Sequence, residues 1–337
     1  MQCRNAVLFA AVLCAASVVA GQGSARDLTL SHQFPETDAR HRAAKVLAAE
    51  VRKRVPDLMV RIHPNGSLVR DPPKQYEAMQ VGKIDMTIYP MGYASEKFPE
   101  LSIVTLPGIP ASAEIAALLK GTEFEEHLQI VCEEKGFRIL TWWWLDGGMA
   151  SRTRAVTGPE TIKDLGARSG GGNDFNAMLK SAGARIVTMP LSEVRAAIET
   201  GKLDVAQSSF ETFVSYRFHE TAKHVTVGGY STLTVFTPVL VSKASWDSLK
   251  ETERRALEEA AAASDIYLEA SQREAQEAAI ETFTKAGVKV QPLTYDAYVA
   301  WLMIARDTAW KSYRAVSPRA SELLDSLLRA FVESSKR

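Results

Sequence analysis

A ten-residue pattern that occurs twice constrains this chain more than any other feature. Residues 77–86 read EAMQVGKIDM and residues 196–205 read AAIETGKLDV, so that Asp85 and Asp204 stand 119 positions apart. Each copy closes a stretch with helical spacing, sets a glycine (Gly82, Gly201) where a helix C-cap favours a left-handed residue, and opens an apolar strand at Ile84 or Leu203. The flanks repeat as well. Ahead of the first copy the pattern predicts a strand at 28–31, a loop at 32–38, a helix at 39–54, a strand at 58–63, a turn at Pro64-Asn65-Gly66 and a helix ending near Val81. Around the second copy it predicts a strand at 164–168, a glycine loop at 169–172, a helix at 173–182, a strand at 185–189, a helix at 191–200 and a strand at 203–207. This β-loop-α-β-α-Gly-β order builds a parallel sheet with helices on both faces. Right-handed crossovers send the loops after the first and third strands to the carboxyl edge, where open α/β sheets bind ligands. The expected fold is therefore α/β with two lobes, each a mostly parallel sheet flanked by helices, and a cleft where the two edges face each other.

The remaining third connects these units. Residues 232–241 (TLTVFTPVLV) alternate like a strand and are expected to cross between lobes. Residues 250–286 read as one helix capped by Gly287; at 1.5 Å per residue it is about 50 Å long, enough to brace both lobes. Closing helices are expected at 295–313 and 317–334. The expected division places 26–148 with about 236–265 in lobe I, and 149–235 with about 266–330 in lobe II. A length of 337 residues suits two such bodies.

Charge narrows the partners. Lys plus Arg and Asp plus Glu both number 40, a balance without the basic excess of a nucleic-acid binder. Arg4 followed by the apolar run at 6–20 and small residues predicts a cleaved signal peptide over 1–25, too short to span a bilayer as a stable helix. Cleavage after Ala20 or Ala25 removes Cys3 and Cys14 and leaves Cys132 alone, so no disulfide is expected. The expected product is a soluble, exported protein, periplasmic, not itself membrane-spanning, and a monomer.

Candidate site residues follow from the strand ends. Arg168 ends the strand before Ser169-Gly170-Gly171-Gly172. Its planar guanidinium matches a carboxylate bidentately, and glycines permit close backbone approach. Spacing alone leaves a surface ion pair equally open. The same glycines lack the third glycine of a dinucleotide fingerprint. Loops after the last strand of each unit offer Tyr89 and Tyr93 in the first, and Gln207, Ser208 and Phe210 in the second. Aromatic walls with a few polar groups suit a small organic acid, although each aromatic also fits a core role. His32 and Phe34 lie on the first cleft loop, and Trp142-Trp143-Trp144 end an apolar strand starting near Phe137, with at least one indole expected toward the cleft. No zinc, redox, nucleophile-elbow or phosphate-loop motif is present. His219 and His224 read as surface histidines. No catalytic residue, metal or cofactor is expected.

Several stretches taken together resemble the solute-binding proteins of tripartite ATP-independent periplasmic (TRAP) transporters, the C4-dicarboxylate-binding (DctP) type. They are LTLSHQFP (28–35), IHPNGSL (62–68), EAMQVGKIDM (77–86), GPETIKDLGARS (158–169), MPLSEVRAAIETGKLDVAQSS (189–209) and SKASWDSL (242–249). The resemblance implies a two-lobed periplasmic binding protein fold, a small carboxylate ligand, no chemistry on that ligand, and delivery to TRAP membrane subunits. It places Arg168 on the family's carboxylate-binding arginine. Ser208 falls where many members carry a ligand-binding asparagine, and Gly148 where many carry a second arginine. Those two departures point to a monocarboxylate with an apolar or aromatic body. The alternatives are a ligand-sensing module or an enzyme on the same two-lobed fold.

Overall fold

The computed structural model describes residues 25–334 except Gly171. The expected signal peptide, apart from Ala25, lies outside the described residues, as does Gly171 of the glycine loop. The first unit runs β1 (Arg26–Ser31), α1 (Ala39–Arg54), β2 (Leu58–His63), α2 (Lys74–Gln80) and β3 (Met86–Ile88). After it come α3 (Ala113–Ala117), α4 (Glu123–Glu134), β4 (Phe137–Ile139) and β5 (Trp144–Ser151). The second unit runs β6 (Gly166–Arg168), α5 (Gly172–Ser181), β7 (Arg185–Ile186), α6 (Leu191–Thr200) and β8 (Val205–Ser209).

The repeated motif does the same work in both copies. Gly82 and Gly201 carry φ of 70° and 77°, turning the chain out of α2 and α6. Asp85 then grips the first strand of its unit twice: its N–H donates to the Thr29 carbonyl (3.1 Å) and its Oδ2 accepts from the Thr29 N–H (2.8 Å). Asp204 grips Gly166 identically, at 2.9 and 2.7 Å. A carboxylate accepting from backbone N–H is a charge-assisted bond, and here it locks strand three of each unit to strand one.

The chain continues through α7 (Phe210–Ser215), β9 (His224–Gly229), β10 (Thr234–Phe236), β11 (Val239–Ser242), α8 (Lys243–Asp247), α9 (Glu251–Lys285), β12 (Lys289–Leu293), α10 (Tyr295–Ala305), α11 (Lys311–Arg314) and α12 (Pro318–Ser334). Lobe I holds a five-stranded sheet in the order β2-β1-β3-β11-β4, and lobe II a seven-stranded sheet with β12-β9-β5-β8-β6-β7 and β10 on β5. Pairing is parallel within each unit but antiparallel where β11 meets β3 and β4, and where β5 meets β8, β9 and β10. The sheets are thus mixed rather than mostly parallel, because the crossing segments enter them reversed.

Three expected elements are interrupted at the crossings. The strand predicted over 232–241 breaks at Thr237-Pro238, since proline cannot donate to a ladder; β10 stays in one sheet and β11 joins the other. The apolar strand from Phe137 to Trp144 likewise divides into β4 and β5. The helix predicted over 295–313 is broken by a π-helical turn at Arg306–Trp310. The expected strand 185–189 shrinks to two residues.

Four clusters of buried side chains fill the molecule. Helix α9 lays Leu257, Ala260, Ala261 and Leu268 against α1 and β1, then Ala279 and Phe283 against α7 and β9, so it serves both lobes. Ser264 Oγ adds a bond to the Ala43 carbonyl at 2.7 Å. One allegiance differs from expectation. Tyr313, Ala320, Leu323, Leu324 and Leu327 pack with α4 and the residues that follow β3, so α11 and α12 lie with lobe I, not within the expected lobe II span of about 266–330. No helix among the described residues is long and apolar enough to cross a membrane.

Candidate functional site

Arg168 closes β6 opposite Ala206 of β8, and β8 pairs with β5 through Gly148↔Ser208 and Met149↔Gln207. Pleat alternation therefore sets Arg168, Ser208 and Gly148 on one face and Gln207 on the other. Arg168 is only 4% exposed. Its Nε donates to the Met189 carbonyl at 3.3 Å, and among the described residues no carboxylate pairs with its guanidinium. A buried cation without an anion is costly, and the cost falls away when a carboxylate arrives.

Space is tight at both described glycines beside it, and at Gly172 it excludes a side chain. A Cβ on Gly170 would lie 3.3 Å from Arg168 Nη1, and one on Gly172, at φ +76°, would lie 2.6 Å from Ser95 Oγ and 2.9 Å from the Gly92 carbonyl. Gly172 belongs to lobe II while Gly92 and Ser95 follow β3 of lobe I, so the lobes meet here with the Gly172 backbone against the Ser95 hydroxyl and the Gly92 carbonyl. Two residues on, Asp174 is half-buried at the same seam, and desolvation pushes its carboxyl up to about 6.

Lobe I contributes less chemistry than expected. His32 is fully buried; its Nε2 lies 3.2 Å from His41 Nδ1 and its Nδ1 accepts from the Phe34 N–H at 3.2 Å. Burial, and then the His41 ring beside it, pull His32 down to about 3, so it is neutral at physiological pH. Phe34 is core, with the Arg40 guanidinium 3.5 Å above its ring. Tyr89 is buried too, its hydroxyl 3.5 Å from the Pro73 carbonyl, and burial pushes its phenol upward. Tyr93, only partly buried, sits edge-on to Tyr89 at 6.1 Å.

Trp144 stacks on Phe236 at 4.5 Å and is core rather than open wall. Phe210 lies over Gly148, where a Cβ would stand 2.9 Å from Phe210 Cε1 and 2.0 Å from the Thr226 carbonyl. No side chain fits at Gly148 with this backbone. Gln207 is 1% exposed, and among the described residues neither its amide atoms nor Trp144 Nε1 finds a partner. Each such group costs about 1–3 kcal/mol when buried unmet. A separate groove of about 680 Å³ runs between α9 and the Trp142–Trp144 crossing; of the expected site residues it holds only Trp144.

Sequence reasoning missed the polar contacts beside this cleft. Asp38 caps α1 and chelates Arg40 through Nε at 2.8 Å and Nη2 at 2.7 Å, with both side chains buried. Burial alone would raise the Asp38 carboxyl, but the Arg40 charge and hydrogen bonds outweigh it and hold it low. Glu211, Thr212, Ser215 and Tyr216 of lobe II reach this pair or its loop. One signal was legible: an arginine in the first turn of a helix opposes the helix dipole and implies a specific partner.

Residues 30–315 match the family described as bacterial extracellular solute-binding protein, family 7. A solute-binding protein of Albidiferax ferrireducens is 37% identical over 305 residues, 88% of this chain and 89% of that one. The C4-dicarboxylate-binding periplasmic protein DctP of Rhodobacter capsulatus is 28% identical over 246 residues, 72% of each chain. Among solved structures, a TRAP periplasmic solute-binding protein from Rhodoferax ferrireducens with bound malonate is similar at TM-score 0.87 and 34% identity, covering 91% of this chain and 98% of that one.

Proposed function

Since the chain belongs to bacterial extracellular solute-binding protein family 7, the solute-binding proteins of TRAP transporters, we propose that it captures a small organic monocarboxylate between its lobes and delivers it to TRAP membrane subunits. In this reading it is exported by a cleaved signal peptide to the periplasm, works as a monomer, and changes nothing covalent in its ligand. The relative solved with malonate, and the dicarboxylate-binding relative, support a carboxylate as the recognised group.

The observation that carries the reading is Arg168, buried at a strand end with no carboxylate partner among the described residues. A ligand carboxylate accepting from Nη1 and Nη2 would complete it, with Ser208 on the same face. The restriction to one carboxylate rests on the other cations. Arg40 is already neutralised by Asp38, His32 is neutral, and Gly148 has no room for a basic side chain. None of these three positions offers a free cation to a second ligand carboxylate, which would be desolvated without an opposing charge from them.

A thermal-shift screen of mono- and dicarboxylates tests this. A true ligand at 100 times its dissociation constant adds about 2.7 kcal/mol of stability. The expected result is a shift for particular monocarboxylates, smaller for the matching diacids, and lost in Arg168→Ala. Equal shifts in that variant would overturn the assignment of Arg168.

A further inference from the structure

The loop and first turn of α1 in lobe I meet α7 of lobe II along a polar seam. Four hydrogen bonds cross it. The Ala39 N–H donates to Glu211 Oε1 at 2.6 Å, and Arg40 Nη2 donates to Thr212 Oγ1 at 3.0 Å. In the other direction Ser215 Oγ donates to Asp38 Oδ2 at 3.0 Å, and the Tyr216 hydroxyl donates to the Gln33 carbonyl at 3.2 Å. The seam therefore encloses two carboxylates, Asp38 and Glu211, around one guanidinium, Arg40. Asp38 takes both of that guanidinium's bidentate bonds. Glu211 is left with a single backbone N–H as its donor.

We infer that this seam is a proton-linked closing contact: Glu211 and Thr212 are positioning residues that hold the lobes together without touching ligand, and Glu211 takes up a proton when they meet. The inference rests on the reading of this chain as a receptor whose lobes open and close. Apart, Glu211 faces water and ionises as an ordinary carboxylate. Together, it is buried beside Asp38, and both effects favour its neutral form. The neutral acid keeps its carbonyl oxygen on the Ala39 N–H. The charges that reach Glu211 are Asp38, Arg40 and Arg42, all from the loop and first turn of α1. Helix α9, against the far side of α7, offers that region the apolar Ala279 and Phe283. His32 and His41 stand behind the loop, and burial keeps both below their ordinary range.

Small-angle scattering of the ligand-free protein between pH 8 and pH 5 tests the seam, because it reads the balance of open and closed forms directly. The closed-to-open ratio should rise as pH falls, by at most tenfold per pH unit for one proton. Glu211→Gln, which keeps a carbonyl oxygen for Ala39, should show a shallower slope and stay as closed as the wild type at low pH. Thr212→Val should shift the balance toward open at every pH and keep the slope. Asp174, at the other seam, contributes equally to wild type and Glu211→Gln, so the difference between their slopes belongs to Glu211. Identical slopes in those two proteins, or an unchanged balance in Thr212→Val, would overturn the inference. Scattering involves no ligand. Its failure would leave the role of Arg168 intact, and a failure of organic acids to bind would leave the seam intact.

Discussion

Replacing Arg168 with methionine should make the ligand-free protein more stable while destroying its affinity. The guanidinium is 4% exposed, and among the described residues only its Nε has a protein acceptor, the Met189 carbonyl at 3.3 Å. Exchanging buried ionic groups for apolar ones of similar volume is neutral to stabilising by about 1–4 kcal/mol, and here no ion pair is lost to offset the gain. At roughly 2 °C per kcal/mol for a chain of this size, the melting temperature without ligand should rise by about 2–8 °C. With ligand the sign reverses. A carboxylate buried opposite methionine is left unpaired, which costs about 3–5 kcal/mol, or a roughly 100- to 4,000-fold weaker dissociation constant. Calorimetric melting without ligand, paired with titration of the acid identified by thermal shift, measures both arms. A variant that melts lower than wild type without ligand would refute the reasoning, because it would show that Arg168 is already compensated inside the protein.

Gly148→Ala should lower stability by more than about 3 kcal/mol in urea titration, since its Cβ would stand 2.0 Å from the Thr226 carbonyl in a strand paired on both sides. Acid should penalise His32: with a folded value of about 3 against an ordinary 6.5, the stability it contributes is full above pH 6.5 and drains away as pH falls toward 3. Between pH 7 and pH 5 that amounts to about 2 kcal/mol. His32→Asn should show a flatter stability curve by that amount, and parallel curves would contradict it; desolvated carboxylates such as Asp174, raised and therefore opposite in sign, cancel in the comparison. Asp204→Ala leaves the Gly166 N–H without its acceptor and should cost about 1–3 kcal/mol. Asp85→Ala should cost more in the same denaturation assay, because Asp85 also accepts from Ser245 Oγ at 2.7 Å, whereas the further donor to Asp204 is the exposed Arg185 Nη2 at 3.5 Å.

Much of the frame was legible because it is written in local rules. The bounds of α1 and α6 follow from cap and periodicity, and Gly82 and Gly201 mark their places by the left-handed turn they permit. Pro238 was a readable stop within 232–241, and weighing it would have predicted two strands in two sheets. The lobe allegiance of α12 was not readable, since an amphipathic helix reveals that it has a buried face and not which sheet it covers. At the site, Arg168 stood out through its strand end and glycines. Its separation from Gln207 needed strand register, which no single strand's sequence contains. The Asp38–Arg40 pair joins residues two apart, yet its meaning depends on α7, more than 170 positions away.

The placement of β11 between β3 and β4 bears on how the molecule is made. A chain emerging N-terminus first delivers β1 to β4 by residue 139, yet their sheet lacks an inner strand until residue 242 has followed. Its outer covering waits longer still, for α12 at the far end. The lobe begun first is therefore finished last, and it depends on chain that has already passed through the second lobe. Any gene fragment ending before β11 encodes two sheet edges with nothing between them. The early lobe is thus held unfinished until the last helix of the chain has been made.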